Sequence, residues 1–340
     1  MRSVVYRRTG DESVLELVER PVPEPGPGEV RVRIHRSGVN PTDWKSRSRD
    51  PGTPVDPPQV PNQDGAGVVD AIGEGVDPVL HGLRVWIWEA AYQRPQGTAQ
   101  EYALVPLRHV VPLPDSASFD LGASLGVPYL TAHRCLTVAE GLPDRLGPGT
   151  LDRRAVLVAG GAGAVGHAAI QLARWSDATV ITTVSSPRKA QLAAAAGADH
   201  VIDYTSQDVA AEVRRIAPHG VAAIVEVAAA KNAAIDAKVL APNGSVAVYA
   251  DDDGAELSLP VRPLMQLNAR WQFVLLYTVT PTAKAIAVED VAAAVQDGAV
   301  SVGEPAGLPV QHFPLERTAD AHAAVRSGGV GKVLIDVDGR

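Results

Sequence analysis

The chain has 340 residues, of which 46% are hydrophobic, 21% charged and 4% aromatic, enough for two domains or one large one. Its net charge of −8 disfavours nucleic acid and anionic membrane surfaces, which need basic patches. Cys135 is the single cysteine, so neither an internal disulfide nor a thiolate zinc cluster is possible.

Residues 1–120 read as a turn-rich β region. Glu29–His35, Arg84–Trp88 and Glu101–Val105 alternate apolar and polar residues as half-buried strands do. Gly65–Gly73 reads as a strand whose glycines allow close backbone approach. Met1–Arg8 lacks the apolar core of a signal peptide, and no apolar run approaches the roughly 18 residues of a membrane span. A cytoplasmic protein with no membrane partner is expected. From Leu121 to Leu136 the pattern turns apolar and helical despite Pro128, and a Pro/Gly-rich connector follows from Gly141 to Arg154.

The next stretch carries the chemistry. Ala155–Ala159 reads as a buried strand, Gly161, Gly163 and Gly166 form G-x-G-x-x-G, and Val165, Ala168, Ala169, Leu172 and Ala173 fall at helical spacing. Strand, glycine turn and helix are the context in which that motif binds a dinucleotide pyrophosphate. Gly161, Gly163, Ala164, Val165 and Gly166 are the candidate phosphate contacts, at a helix N-terminus that favours anions.

Ala178–Val184 reads as the second strand, followed by Ser185-Ser186-Pro187-Arg188-Lys189 and an alanine-rich helix running to Gly197. Ser186 is a candidate N-cap, with Pro187 at the first helical position. A carboxylate here would bind ribose hydroxyls and repel a 2′-phosphate. No acidic residue lies between Ala178 and Gly197. Ser185, Ser186, Arg188 and Lys189 instead suit the 2′-phosphate, and NADPH is expected over NADH. The competing reading makes the two cations ordinary solvated helix charges. It is weakened by the scarcity of lysine, six against 25 arginines.

Further strands are expected at His200–Asp203, Val221–Val227 and Ser245–Tyr249, and a sixth at Trp271–Tyr277. Helices are expected over 208–217 and after a cap at Asn232. Six parallel strands with right-handed crossovers make the doubly wound α/β fold. Helices near Ala283–Gln296 and Leu315–Arg326 precede a closing strand, Gly331–Val337, expected to complete the N-terminal β region.

These motifs together resemble the medium-chain dehydrogenase/reductases, and within them the zinc-independent quinone oxidoreductases. Val158–Gly166, Thr183–Lys189, Gly197–Tyr204, Leu315–His322 and Gly331–Ile335 carry the likeness. The resemblance implies a GroES-like β-rich catalytic domain, residues 1–125 and 281–340, and a Rossmann NADPH domain, residues 126–280. Where zinc relatives place Cys, His-Glu and a third ligand, this chain has Asn40, Gln63-Asp64 and Val127. Neutral Asn, Gln and Val cannot assemble a tetrahedral zinc site.

The implied activity is hydride transfer from NADPH to a quinone or an α,β-unsaturated carbonyl without zinc. Asn40 sits where the family places an active-site amide; a loop-fixing Asn competes with that role. Trp44 is a candidate wall for a planar acceptor, or ordinary packing. Tyr92 and Tyr129 are candidates to line the cleft or supply a proton. Thr131, Tyr204 and Lys332 join the cofactor candidates by resemblance. An enoyl-thioester reductase is the neighbouring alternative. It needs cations for pantetheine phosphates, and Arg47 with Arg49 is the nearby cluster. A non-enzymatic NADPH-binding protein on the same fold is the other. A homodimer is expected through the apolar strand Trp271–Tyr277, which would otherwise be an exposed edge.

Overall fold

A computed structural model describes residues 1–139, 141–251 and 254–338. The chain divides into two compact units, Met1–Val127 with Val310–Arg340, and Pro128–Pro309. The return to the first unit therefore starts at Val310, not at 281. The helix Pro281–Gln296 stays with the second unit, where Asp290 accepts a hydrogen bond from His133 (2.8 Å) and the Leu146 N–H (2.7 Å).

In the second unit six parallel strands lie in the order His200–Asp203, Thr179–Val184, Ala155–Ala159, Val221–Glu226, Leu240–Val248, Arg270–Phe273. That is the doubly wound dinucleotide order, with the glycine-turn strand at the switch point. Val156, Val158, Val180, Ile181, Ile224 and Val246 are buried along the sheet, as strands covered on both faces require.

Three local expectations are corrected. The sixth strand is Arg270–Phe273, and the rest of the apolar run folds into a short 3-10 turn, Leu276–Thr278, before Thr280 caps the next helix. Apolarity alone does not set strand length. Asn232 caps nothing: its helix is Ala229–Val239, and its amide donates to Glu226 at 3.1 Å. The Glu226 carboxylate, reaching over from the preceding strand end, also accepts the Ala228 N–H. The fifth strand begins at Leu240; Asn243, at φ 63°, interrupts it, and regular pairing resumes at Ser245 opposite Ala223.

The first unit holds a seven-stranded and a three-stranded sheet. Its closing strand, Lys332–Asp336, pairs antiparallel with Glu29–Val39, and Arg36 pins it through Asp336 and Asp338. The region is not all β. Pro41–Ser48 is a short helix, because Pro41 presets its first turn and the Asp43 carboxylate accepts the Asn40 N–H at 2.7 Å. This helix carries Trp44 and sets Asn40 at its start. No helix among the described residues is long and apolar enough to cross a membrane.

Candidate active site

The three glycines of the turn separate into two physical roles. A Cβ on Gly161 would lie 2.1 Å from the Thr182 hydroxyl, and one on Gly166 would lie 2.4 Å from the Gly160 carbonyl oxygen. Those two glycines are required by the protein's own packing. Gly163 is different. Its φ is −84°, and a Cβ there would meet only the Gly160 oxygen, at 3.4 Å. Nothing in the chain demands glycine at 163, so the space is left for something outside the chain. It lies at the N-cap of the 12-residue helix Ala164–Trp175, where no side chain caps the first N–H groups of Ala164, Val165 and Gly166. A pyrophosphate fits that cradle by charge and by room.

Next to it, strand pairing aligns Val184 with Asp203, so Ser185 and Tyr204 follow one another across adjacent strand ends. Tyr204 is exposed at 54%. Ser186 caps the helix Pro187–Ala195 by accepting the Lys189 N–H, and the Lys189 ammonium turns back to Ser185 at 2.9 Å. The Lys189 ammonium and the Ser185 hydroxyl thus meet at this strand end, with Ser186 next in the chain and Tyr204 following the adjacent strand, residue types matched to a phosphate. Arg188 borders it and is ion-paired with Glu304. Glu304 was invisible in the sequence window around the second strand; only the folding back of residues 299–308 brings it there.

In the first unit the residues around Asn40 form a buried polar knot. Lys332 donates to the Asn40 side-chain oxygen at 2.7 Å and to the Val39 carbonyl at 3.3 Å. The Asn40 amide nitrogen donates to Asp64 at 2.7 Å. Asp64 also accepts the Val127 N–H, at 2.9 and 3.0 Å to its two oxygens. That approach is possible because Gly126 has no side chain: a Cβ there would lie 2.1 Å from Asp64 Oδ1. Asp43 accepts the N–H groups of Asn40 and Gln63.

Two carboxyls and one ammonium are buried here together. Burial pushes Asp43 up to about 8, reinforced by Asp64 and opposed by the Asn40 N–H and Lys332. Burial pushes Asp64 up to about 6, against the pull of Lys332. Burial lowers the Lys332 ammonium while both carboxylates raise it. One carboxyl keeping its proton lets the remaining pair neutralise itself. Asp43, Asp64 and Gly126 were missed as site residues. The N-x-x-D spacing of Asn40 and Asp43 is a capping signal and could have found the first.

Several candidates move. Lys332, expected to touch cofactor, is as buried as Asn40 and donates to the Asn40 side-chain oxygen and the Val39 carbonyl. Tyr129 is 0% exposed and donates to Gln171 at 2.7 Å; burial raises its pKa, so it is a core phenol and not a cleft wall or proton donor. Arg47 is 1% exposed, donating to the Gly10 carbonyl and paired with Glu12, so it is no phosphate anchor. Cys135 is buried and its thiol is pushed up to about 12, so it stays protonated at neutral pH and offers no thiolate nucleophile. Trp44 is half-buried, with a buried indole N–H that has no hydrogen-bond partner. Tyr92 is half-buried, its hydroxyl accepting from Gln93 at 3.4 Å. Thr131 is buried in the helix Phe119–Thr137.

The positions that carry zinc ligands in zinc relatives do not fit that metal. The Asn40 oxygen already accepts from an ammonium, the Gln63 side-chain oxygen accepts the Ala91 N–H at 3.0 Å, and Val127 has no donor side chain. A cation would also face Lys332.

A GroES-like β unit and a doubly wound sheet with this glycine turn in one chain define a class of oxidoreductase, and the chain belongs to the medium-chain dehydrogenase/reductase superfamily. The alcohol dehydrogenase GroES-like domain family matches residues 26–115, and the zinc-binding dehydrogenase family matches residues 164–293. Among particular proteins, the chain is 29% identical to quinone oxidoreductase of Rattus norvegicus, covering 98% of this chain and 97% of that one. It is similar to a structure of an NAD-dependent alcohol dehydrogenase, with a TM-score of 0.84 at 29% identity over 99% of this chain and 100% of that chain. A mycobacterial protein solved in complex with NADPH gives a TM-score of 0.79 at 27% identity, also over 99% and 100%.

Proposed function

We propose that this protein is an NADPH-dependent oxidoreductase that reduces a quinone or an α,β-unsaturated carbonyl without zinc, working as a cytoplasmic homodimer. The observation that carries the reading is the phosphate-matched group of Ser185, Ser186, Lys189 and Tyr204, bordered by Arg188, beside a glycine turn with unclaimed space at Gly163. The bound cofactor supplies a hydride. The chain supplies orientation: the glycine turn holds the pyrophosphate, and the second strand end selects the 2′-phosphate.

Asn40 is the group for the acceptor oxygen. With its own oxygen held by Lys332 and one N–H held by Asp64, it has only a second N–H to offer. A donor fixed in that way stabilises charge developing on a carbonyl or quinone oxygen. Reducing an acceptor that is already electrophilic needs less help than polarising an alcohol, which suits a site whose side chains do not fit zinc. The enoyl-thioester alternative loses Arg47, half of its phosphate-binding cluster, to the interior.

The test is NADPH oxidation against a panel of quinones, enals and enoyl thioesters, read from the absorbance of the reduced nicotinamide. Turnover with quinones or enals, and tighter binding of NADPH than NADH, supports the reading. Binding without turnover on any acceptor points to a non-enzymatic NADPH-binding protein.

A further inference from the structure

The phosphate cradle is not bordered by cations alone. Glu304 opens the short turn Glu304–Ala306 and ion-pairs with Arg188. The segment that carries it is firmly anchored. Buried His167 hydrogen-bonds through Nε2 to the Ala306 carbonyl at 2.9 Å. Gln171 accepts the Ser301 N–H at 3.1 Å and donates to the Ser301 carbonyl at 3.2 Å. Gly303 and Leu308 exchange backbone hydrogen bonds at 2.8 and 3.1 Å. Gly307, at φ +85°, packs so closely on the helix Pro187–Ala195 that a Cβ would lie 2.1 Å from the Leu192 carbonyl oxygen.

Arg188 and Glu304 are 57% and 53% exposed, so their pairing adds little to folding stability. What the anchoring does is keep one carboxylate beside one cation of the cradle. We propose that Glu304 is a specificity-determining residue: it competes with the cofactor's 2′-phosphate for the Arg188 guanidinium. It thereby holds the preference for NADPH over NADH below what Arg188 and Lys189 alone would set. The proposal rests on the 2′-phosphate reading of this strand end.

The selectivity follows from charge. A 2′-phosphate must displace Glu304 from Arg188 and then sit near a like charge. A 2′-hydroxyl does neither, so NADH is indifferent to Glu304. The competition is between exposed groups and is screened by salt, over a Debye length of about 10 Å at 0.1 M.

The experiment is calorimetric titration of the full chain with NADPH, NADH, 2′,5′-ADP and 5′-AMP, using wild type, Glu304→Gln, Arg188→Ala and the double variant. Glu304→Gln is expected to tighten NADPH and 2′,5′-ADP by roughly three- to tenfold and to leave NADH and 5′-AMP within about twofold. The gain should vanish in the Arg188→Ala background and shrink at high salt. A Glu304→Gln protein that binds NADPH as wild type does, or that gains equally for NADH, overturns the proposal. If Arg188→Ala weakens NADPH while Glu304→Gln is silent, the cradle stands and only the role of Glu304 falls. If neither variant alters NADPH binding and wild type does not distinguish the two cofactors, both readings fall.

Discussion

Lys332 donates to the side-chain oxygen of Asn40 at 2.7 Å, and an ammonium can only donate. The contact therefore fixes which end of the Asn40 amide is oxygen and which is nitrogen, and the nitrogen in turn faces Asp64. In the reaction proposed above, Asn40 would therefore present a donor and not an acceptor. Asn40→Ala should lower kcat by about 10–100-fold while leaving the NADPH dissociation constant unchanged, because the residue lies in the other unit from the glycine turn. Steady-state kinetics and cofactor titration read the two effects separately. Unchanged turnover would remove Asn40 from the site.

The same knot has a cost when one member is removed. Lys332→Met leaves Asp64 buried without its ammonium, and loss of one partner of a buried pair costs about 3–5 kcal/mol. Urea unfolding should show a lower midpoint with an unchanged m-value. The double variant Lys332→Met/Asp64→Asn should recover part of the loss, since it removes the orphaned charge. A single variant as stable as wild type would mean that Lys332 is not charged in the folded protein.

The glycine turn offers a contrast between two neighbouring substitutions. Gly163→Ala brings its Cβ only to van der Waals contact with the Gly160 oxygen and should change stability by no more than about 1 kcal/mol, while weakening NADPH binding at least about tenfold. Gly166→Ala drives a Cβ to 2.4 Å from a backbone oxygen and should be destabilising without any ligand present. Thermal melts with and without NADPH separate the outcomes. A Gly163→Ala protein with full NADPH affinity would show that the pyrophosphate sits elsewhere.

How far the sequence reached depends on whether a feature is local. The strand, glycine turn and helix at 155–175 were legible because the turn's geometry is written in consecutive residues. So was Ser186 as a cap. The polar knot was only half legible. Asn40, Asp64 and Lys332 come from three segments far apart in the chain, and a lysine in a closing strand reads the same whether it meets a cofactor or an asparagine. Tyr129 misled for a related reason: its partner Gln171 is 42 residues away. Helical periodicity places a side chain on a face, but not which face is covered. Glu304 lay furthest out of reach, since only the packing of Gly307 on Leu192 brings it to Arg188.

Buried histidines set an acid limit. Burial lowers His322 to about 3 and His167 to about 4, from 6.5 in the open chain. Between those values the unfolded chain binds protons that the folded protein refuses. Their contribution is therefore complete above 6.5 and is lost as pH falls toward 3–4, with a limiting slope of about 1.4 kcal/mol per pH unit for each group. Asp43 and Asp64, raised to about 8 and 6, act with the opposite sign: their contribution is present below about 4 and lost as pH rises through their folded values. Comparing wild type with His167→Gln/His322→Gln at each pH isolates the histidines. The variant should lose less stability between pH 6.5 and 4.5. Parallel profiles would mean that these histidines take up protons without unfolding.

The last prediction concerns assembly. Arg270–Phe273 is an edge strand of the parallel sheet, with Phe273 and the following Leu275 exposed at 62% and 58%. An unpaired edge beside exposed apolar side chains is a template for association. A twofold axis satisfies it once and closes, whereas a non-closing contact would lead to aggregates. Light scattering at micromolar concentration should therefore give twice the chain mass for wild type. Phe273→Asp puts a carboxylate at the centre of that contact, twice over because of the symmetry, and should give the single-chain mass with the fold intact by circular dichroism. A wild-type monomer at that concentration would leave these side chains without a partner copy and would remove the dimer from the account.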